Sequence, residues 1–216
     1  MGFSLEEGLR RLAEGELIGR RLDHAGPLLA AYIGQIELFN PAYGLVGAKT
    51  REDLVTRHIL DSLAPLGIMI RLLGDSSGAR IADVGSGAGL PGIPLAIALP
   101  ECRVTLIERM GRRAGFLRNT AAVLGLGNVE VEEGEMEKAA PGRFNLICFR
   151  AFRPLEPALL KALFRLLAPG GVLAAYKGRL EAIREEMASR TAGSWDVFPC
   201  PTPGLAEERH LVTLRP

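Results

Sequence analysis

Two hydrophobic rhythms divide this chain. Up to about residue 73 apolar positions recur at helical spacing; beyond about residue 79 short apolar runs alternate with amphipathic ones. Ser4, followed three residues later by Glu7, has the spacing of a capping box and predicts the start of a first helix. A stripe through Leu28, Leu29, Tyr32, Ile33 and Ile36 predicts a second helix over 23–38, broken by Asn40-Pro41-Ala42-Tyr43-Gly44. Two shorter helices are expected over 51–60 and 62–73, separated near Asp61. Gly74-Asp75-Ser76-Ser77-Gly78 is the one clear linker. After it, strands are predicted at 80–84, 103–107, 129–132, 144–149, 171–176 and 210–214, with helices at 93–99, 111–124, 154–167 and 180–190. Such alternation implies an α/β fold, a mostly parallel sheet with right-handed crossovers. The expected organisation is a helical extension over 1–74, packed on an α/β domain over 75–216.

Composition narrows this picture only modestly. The 216 residues are 48% hydrophobic and 24% charged, ordinary for a soluble globular protein with a sizeable core. A net charge of +1 neither demands nucleic acid nor excludes it. Cys102, Cys148 and Cys200 are odd in number and far apart, so they are expected to be buried cytosolic thiols, with neither a disulfide frame nor a metal site. The opening MGFSLEEGLRRL carries acids early and no long apolar core, unlike a signal peptide, and no run reaches transmembrane length. A cytoplasmic protein is the expectation.

The chemistry concentrates in Ile81-Ala82-Asp83-Val84-Gly85-Ser86-Gly87-Ala88-Gly89, where an apolar strand ends in an acid and enters a G-x-G-x-G loop. Glycines there let a ligand approach bare backbone at the carboxyl edge of the first strand. Glu108, ending the second strand 23 residues beyond Gly85, can accept hydrogen bonds from both hydroxyls of an adenosine ribose. That pair of features suits NAD and S-adenosylmethionine alike. A dinucleotide fingerprint counted from Gly85 wants glycine where Leu90 stands; one counted from Gly87 through Gly89 to Gly92 starts late and contains Pro91. Asp83 two residues before the first glycine, the Leu124–Val129 approach to the third strand and the Leu167-Ala168-Pro169-Gly170-Gly171 turn into the fifth favour S-adenosylmethionine and the class I methyltransferase fold. The plain alternative is a glycine loop that only lets a helix pack closely.

Several segments together carry a more specific resemblance. They are Arg57-His58-Ile59-Leu60-Asp61-Ser62-Leu63, the run from Asp83 to Leu95 with its Pro91-Gly92-Ile93-Pro94, Arg113 to Leu117, Arg150-Ala151-Phe152, Lys177-Gly178 and Arg209-His210-Leu211-Val212. In these the chain resembles the glucose-inhibited division protein B (GidB) family, small-subunit ribosomal RNA guanine-N7 methyltransferases. The resemblance implies a class I, Rossmann-like methyltransferase with a mostly parallel seven-stranded sheet. It also implies methyl transfer from S-adenosylmethionine to N7 of a guanosine in the 530 loop of 16S rRNA, within the small ribosomal subunit. By position, Asp83, Gly85, Gly87, Gly89 and Leu90 would form the cofactor loop, and Glu108 would hold the ribose. Met136 and Glu137 would flank the adenine, and Arg150 would lie beside the cofactor. Arg150 and Lys177 would help position substrate or methyl group; no metal is implied. Two departures stand out: Gly44-Leu45-Val46 where the family usually has Asn-Leu-Thr, and Phe149 where serine is common.

Guanine N7 carries a free lone pair, so no general base is required and catalysis reduces to orientation. This agrees with the lack of an Asn/Asp-Pro-Pro-Tyr motif or a Pro-Cys nucleophile after the fourth strand; Cys148 is expected in the core. His58 and Asp61, three apart on one helical face, suit either a contact across the seam or a structural pair, and His210 suits a structural role. Arg109, Arg112, Arg113 and Arg118, with Arg10, Arg11, Arg20, Arg21, Lys49, Arg51 and Arg57, are candidate phosphate contacts or simply solvated faces. A nicotinamide-dependent oxidoreductase, a non-catalytic RNA or ribosome-assembly factor and a small-molecule methyltransferase remain alternatives on the residues alone.

Overall fold

The computed structural model describes residues 3–14, 16–74, 77–150, 155–188 and 193–216, the side chains of 16 and 17 excepted. Helix α1 (Leu5–Leu12) starts where expected: Ser4 Oγ accepts from the Glu7 N–H at 3.1 Å, and Glu7 pairs with Arg10 and Arg11 one turn on. After α2 (Glu16–Leu22) comes α3 (Ala25–Tyr43), which buries Leu29, Tyr32, Ile33 and Ile36, as its stripe predicts, and leaves Leu28 partly exposed. The helix runs past its predicted end at 38 and stops inside the expected breaking segment, at its last residue. Pro41 sits in the last turn, where its missing N–H costs one helical bond, and the helix stops only at Gly44, whose φ of 57° ends it. Asn40 secures the exit by exchanging two hydrogen bonds with the Val46 backbone, at 2.9 and 3.1 Å.

The expected division at Asp61 is also displaced. Helix α4 (Arg51–Leu54) opens with a full capping box between Thr50 and Asp53, widens into a π-helical turn (Val55–Leu60) and continues as α5 (Asp61–Leu63). The chain breaks at Ala64-Pro65, before α6 (Leu66–Leu73), because proline and not aspartate removes the helical donor. Asp61 stays inside the helix because it is buried against two arginines, described below.

Beyond Gly78 the elements alternate as predicted. They are β1 (Arg80–Val84), α7 (Gly92–Ala98), β2 (Arg103–Glu108), α8 (Gly111–Val123), β3 (Val129–Glu133), β4 (Phe144–Arg150), α9 (Pro157–Leu166), β5 (Leu167–Lys177), α10 (Leu180–Ala188), β6 (Ser194–Pro199) and β7 (His210–Arg215). Strand β5 begins four residues before the predicted start because Leu167 pairs with Phe144 ahead of an irregularity in the ladder. Strand β6 has no predicted counterpart: Ser194-Trp195-Asp196-Val197-Phe198-Pro199 is an edge strand with most positions exposed, and it lacks a buried alternation. The parts of the predicted helices at residues 154, 189 and 190 lie outside the described residues.

The seven strands lie in the order β3-β2-β1-β4-β5-β7-β6, all parallel except β7, which runs antiparallel to both neighbours. This is the mostly parallel sheet that the alternation implies, with the seven strands of the class I, Rossmann-like fold that the resemblance implies. One face carries a buried cluster in which Leu29, Tyr32, Ile33 and Ile36 of α3, Ile59 and Leu60 of the π turn, and Leu66 and Met69 of α6 join Ile93 and Leu95 of α7, Phe116 and Leu117 of α8, and the sheet. The other face packs on Leu159, Leu163 and Leu166 of α9 and on Ile183 and Met187 of α10. All three cysteines are buried and unbridged. Among the described residues no helix is long and apolar enough to cross a membrane.

Candidate active site

Parallel register brings the carboxyl ends of β1, β2 and β4 side by side, with Val84 opposite Ile107 and Asp83 opposite Cys148. The chain leaving β1 turns at once: the N–H groups of Gly85 and Ser86 both reach the Ile107 carbonyl, at 2.9 and 3.2 Å. The loop then closes on its own helix. A Cβ on Gly89, already at φ 91°, would meet Ile93 Cγ1 at 2.6 Å and Leu117 Cδ2 at 2.9 Å, so only glycine fits. From the extension, the buried Tyr32 hydroxyl donates to the Ala88 carbonyl at 2.7 Å and fixes the far side of the loop.

Two carboxylates hold this loop. Glu108 Oε2 accepts from the Gly87 N–H and Oε1 from the Met110 N–H, both at 2.9 Å, so the acid ending β2 ties the glycine turn to the next one. Asp83 is fully buried; its Oδ2 accepts from the Gly92 N–H at 2.9 Å, while its Oδ1 has no partner among the described residues. Burial pushes the Asp83 carboxyl up to about 7, against the Gly92 N–H and the Arg150 charge, which pull it down. A side-chain carboxylate thus occupies the first turn of α7, where a dinucleotide would need to place its pyrophosphate.

Beside these residues lies a cleft of about 540 Å³, lined by Val84, Gly85, Ile107, Glu108, Arg109, Met110, Arg113, Gly134, Glu135, Met136, Glu137 and Arg150. That size suits a nucleoside-sized ligand. Of the residues expected to bind cofactor, Gly85, Glu108, Met136, Glu137 and Arg150 line it. Asp83, Gly87, Gly89 and Leu90 lie behind its wall: Gly87 is engaged by Glu108, and Leu90 is buried in the core shared with α3. A larger cleft, about 840 Å³, opens at the opposite, amino edge of the strands. Its Asn128 amide is spent on the carbonyls of Ala96, Leu99 and Cys102, and it lies away from the glycine loop.

Arg150 is the most constrained group of the site. Its Nη1 donates to the Arg57 carbonyl at 2.9 Å and to Asp61 Oδ2 at 3.0 Å, and its Nη2 lies 3.0 Å from His58 Nδ1. Asp61 Oδ1 in turn takes Arg209 Nε at 3.1 Å. Burial, and then the Arg150 charge, push the His58 ring down to about 4, so at neutral pH its Nδ1 accepts and its Nε2 carries the proton. Of the five guanidinium N–H donors, Nε and one on Nη2 have no partner among the described residues.

Lys177 stands elsewhere. It does not line the cleft; its Nζ meets both oxygens of Glu186, at 2.7 and 3.0 Å, and Glu186 Oε1 also accepts from the Leu155 N–H at 2.8 Å. His210 is structural, its Nδ1 2.6 Å from the Gly178 carbonyl, and Cys148 is a core residue whose thiol faces the Ala82 carbonyl. Most candidate phosphate-binding arginines are also engaged. Arg10 and Arg11 pair with Glu7, Arg21 with Glu101, Arg51 with Glu37, Arg57 with Asp53 and Glu207, and Arg118 with Glu133; Arg112 stacks on Tyr43 at 4.3 Å. Arg109 and Arg113, on the cleft wall, have no ion-pair partner among the described residues. The sequence pattern did not single out Met110, half exposed beside them, or the tie from Tyr32; the signal for Met110 was its place two residues after Glu108.

Comparison with known proteins gives a family and a fold. Residues 26–212 match the family described as GidB, rRNA small subunit methyltransferase G. The ribosomal RNA small subunit methyltransferase G of Stenotrophomonas maltophilia (strain K279a) is 41% identical over 216 residues, 98% of this chain and 93% of that protein. The protein of the same name from Treponema pallidum (strain Nichols) is 40% identical over 191 residues, 87% and 83% of the two chains. Among solved structures, a SAM dependent methyltransferase from Aquifex aeolicus superposes with a TM-score of 0.55 at 19% identity, over 71% of this chain and 92% of that one. A predicted O-methyltransferase from Agrobacterium tumefaciens, protein Atu636, gives 0.54 at 25% identity, over 74% and 79%.

Proposed function

The chain belongs to the GidB family of rRNA small subunit methyltransferases, and on that premise we propose that it transfers a methyl group from S-adenosylmethionine to N7 of a guanosine in the 530 loop of 16S rRNA. The observation that carries this reading is the donor set of the cleft. Glu108 offers carboxylate lone pairs for ribose hydroxyls, and Ile107 and Met136 offer apolar walls for a base. Arg150 offers two N–H donors, without a partner among the described residues, suited to a carboxylate. A ligand with adenosine at one end and an amino acid at the other uses all of these groups.

When bound, S-adenosylmethionine supplies a sulfonium methyl open to in-line displacement. Guanine N7 needs no proton removed beforehand, so the residues have no base to provide. Their work is orientation: Glu108 and Arg150 fix the two ends of the donor, and the glycine turn lets it lie against backbone. The small ribosomal subunit in the cytoplasm is the substrate particle on this reading. Arg109 and Arg113, on the cleft wall and without ion pairs among the described residues, would meet its phosphates.

The test is transfer of labelled methyl from S-adenosylmethionine to small subunits that lack the modification, with the product nucleoside identified. Label recovered as 7-methylguanosine in 16S rRNA supports the reading. Donor binding without transfer would move the acceptor elsewhere, with Gly44 and Val46 the first positions to restore to the family residues. Naked 16S rRNA methylated as fast as assembled subunits would sink the assignment of the particle as substrate.

A further inference from the structure

We propose that His58 and Asp61, on the π-helical turn and α5 of the helical extension, are positioning residues for the methyl donor, acting through Arg150 at the end of β4. The inference rests on the donor reading above and extends the site to residues that touch neither donor nor acceptor. Arg150 is a long side chain at the end of a strand, and a free guanidinium there would sample many rotamers. Instead its distal nitrogens are spent on three fixed acceptors of one helical segment: the Arg57 carbonyl, Asp61 Oδ2 and His58 Nδ1. Those bonds leave Nε and a single Nη2 hydrogen for the cleft that Arg150 lines. A fork held in this way binds a carboxylate with less loss of side-chain entropy than a mobile one.

The segment that holds Arg150 is itself anchored. The Tyr176 hydroxyl of β5 donates to the Ser62 carbonyl at 2.7 Å, and Arg209 takes the other oxygen of Asp61. Asp61 is 5% exposed, so its carboxylate is a buried bridge between two cations and not a surface ion pair. Its charge offsets Arg150 and Arg209 together, whereas His58 contributes direction without charge. The extension thereby braces Arg150 without itself lining the cleft.

The experiment is a double-mutant cycle on S-adenosylmethionine affinity, measured by calorimetry on the full chain, with melting temperature recorded for each variant. Asp61→Ala and the shape-preserving Asp61→Asn are each combined with Arg150→Ala. The expected result is that either Asp61 change weakens donor binding roughly tenfold or more when Arg150 is present and has about no further effect when Arg150 is absent. His58→Asn, which keeps an acceptor near the place of Nδ1, should retain affinity that His58→Leu loses. In turnover, KM for the donor should rise while kcat at saturating donor and KM for ribosomal subunits hold. Equal weakening with and without Arg150 would overturn the proposal, since the effect would then be general destabilisation. So would unchanged affinity in a folded Asp61→Asn. A wild-type chain that binds no S-adenosylmethionine would instead overturn the donor reading itself, a result distinct from either.

Discussion

Replacing Gly92 by alanine tests the packing at the heart of the site. Gly92 begins α7 with ordinary helical backbone, and alanine is the better helix former by up to about 1 kcal/mol, so local propensity alone predicts stabilisation. The surroundings predict the reverse. An added Cβ would collide with Leu106 Cδ2 and lie 2.8 Å from Asp83 Oδ2 and 2.9 Å from Asp83 Cβ. Leu106 is fully buried in a central strand and cannot yield, so Asp83 must move and give up the Gly92 N–H. Overpacking a core costs roughly 1–3 kcal/mol. Losing a hydrogen bond to a buried charged group costs roughly 1.5–3 kcal/mol more, because Asp83 Oδ1 already has no partner. Set against the helix gain, the net loss is about 2–5 kcal/mol, or a melting temperature lower by roughly 5–15 °C in a chain of this size. Gly115 is the control: it lies within α8 with nothing within 4 Å of an added Cβ, so Gly115→Ala should stabilise by about 0.5–1 kcal/mol. Calorimetric melting of both variants reads the two signs. A Gly92→Ala protein that melts at or above the wild type would refute the close approach of Asp83, Leu106 and α7.

Three further outcomes are expected. His58 has a folded-state value pushed down to about 4 from 6.5, so the unfolded chain takes up its proton first and stability is lost as pH falls from about 6.5 towards 4. His58→Gln removes that loss, so the variant's stability relative to wild type should rise between pH 7 and pH 5 in denaturant titrations; a constant difference would contradict the buried neutral ring. Arg109→Gln and Arg113→Gln should each reduce the salt dependence of ribosomal-subunit binding by about one counterion or slightly less, and an unchanged slope would remove them from the RNA face. Lys177→Met removes the Lys177–Glu186 ion pair and should lower stability by roughly 1 kcal/mol, with turnover of the folded protein retained; loss of turnover at unchanged melting temperature would instead place Lys177 at the substrate.

Period and punctuation made the sheet legible. Strand β1 matches its prediction to the residue and β2 to within one, because buried parallel strands are continuous apolar runs ending in a charge or glycine. The cleft residues Gly85 and Glu108 were legible for a related reason: the carboxyl end of a strand is where a glycine turn and an acid have a ligand to serve. What stayed hidden depends on contacts remote in sequence. Asp61 reads as a helix breaker until Arg150 and Arg209, 89 and 148 residues later, arrive to neutralise it. Strand β6 takes its place from the edge of β7 and not from a buried face of its own, so its residues carry no alternating signal.

Arg150 and Asp83 also explain why the extension and the sheet cannot be separated without cost. Asp83 is a buried acid pushed upward by desolvation, and the nearby charge that pulls it back is Arg150. Arg150 in turn is balanced by Asp61, and Asp61 by Arg209, the residue just before β7. Removing the helices would leave Arg150 near the glycine turn without its counter-charge, and leave Asp83 without a fixed cation. Tyr32, raised well above its ordinary value by burial and so kept as a neutral hydroxyl, would no longer hold the Ala88 carbonyl. The glycine loop would keep its sequence and lose the hydrogen bond that fixes its far side. Expression of residues 79–216 alone should therefore yield a chain that fails to bind S-adenosylmethionine, even where circular dichroism reports a folded sheet. Donor affinity in that fragment matching the full chain would show that β1, β2 and β4 shape the site unaided.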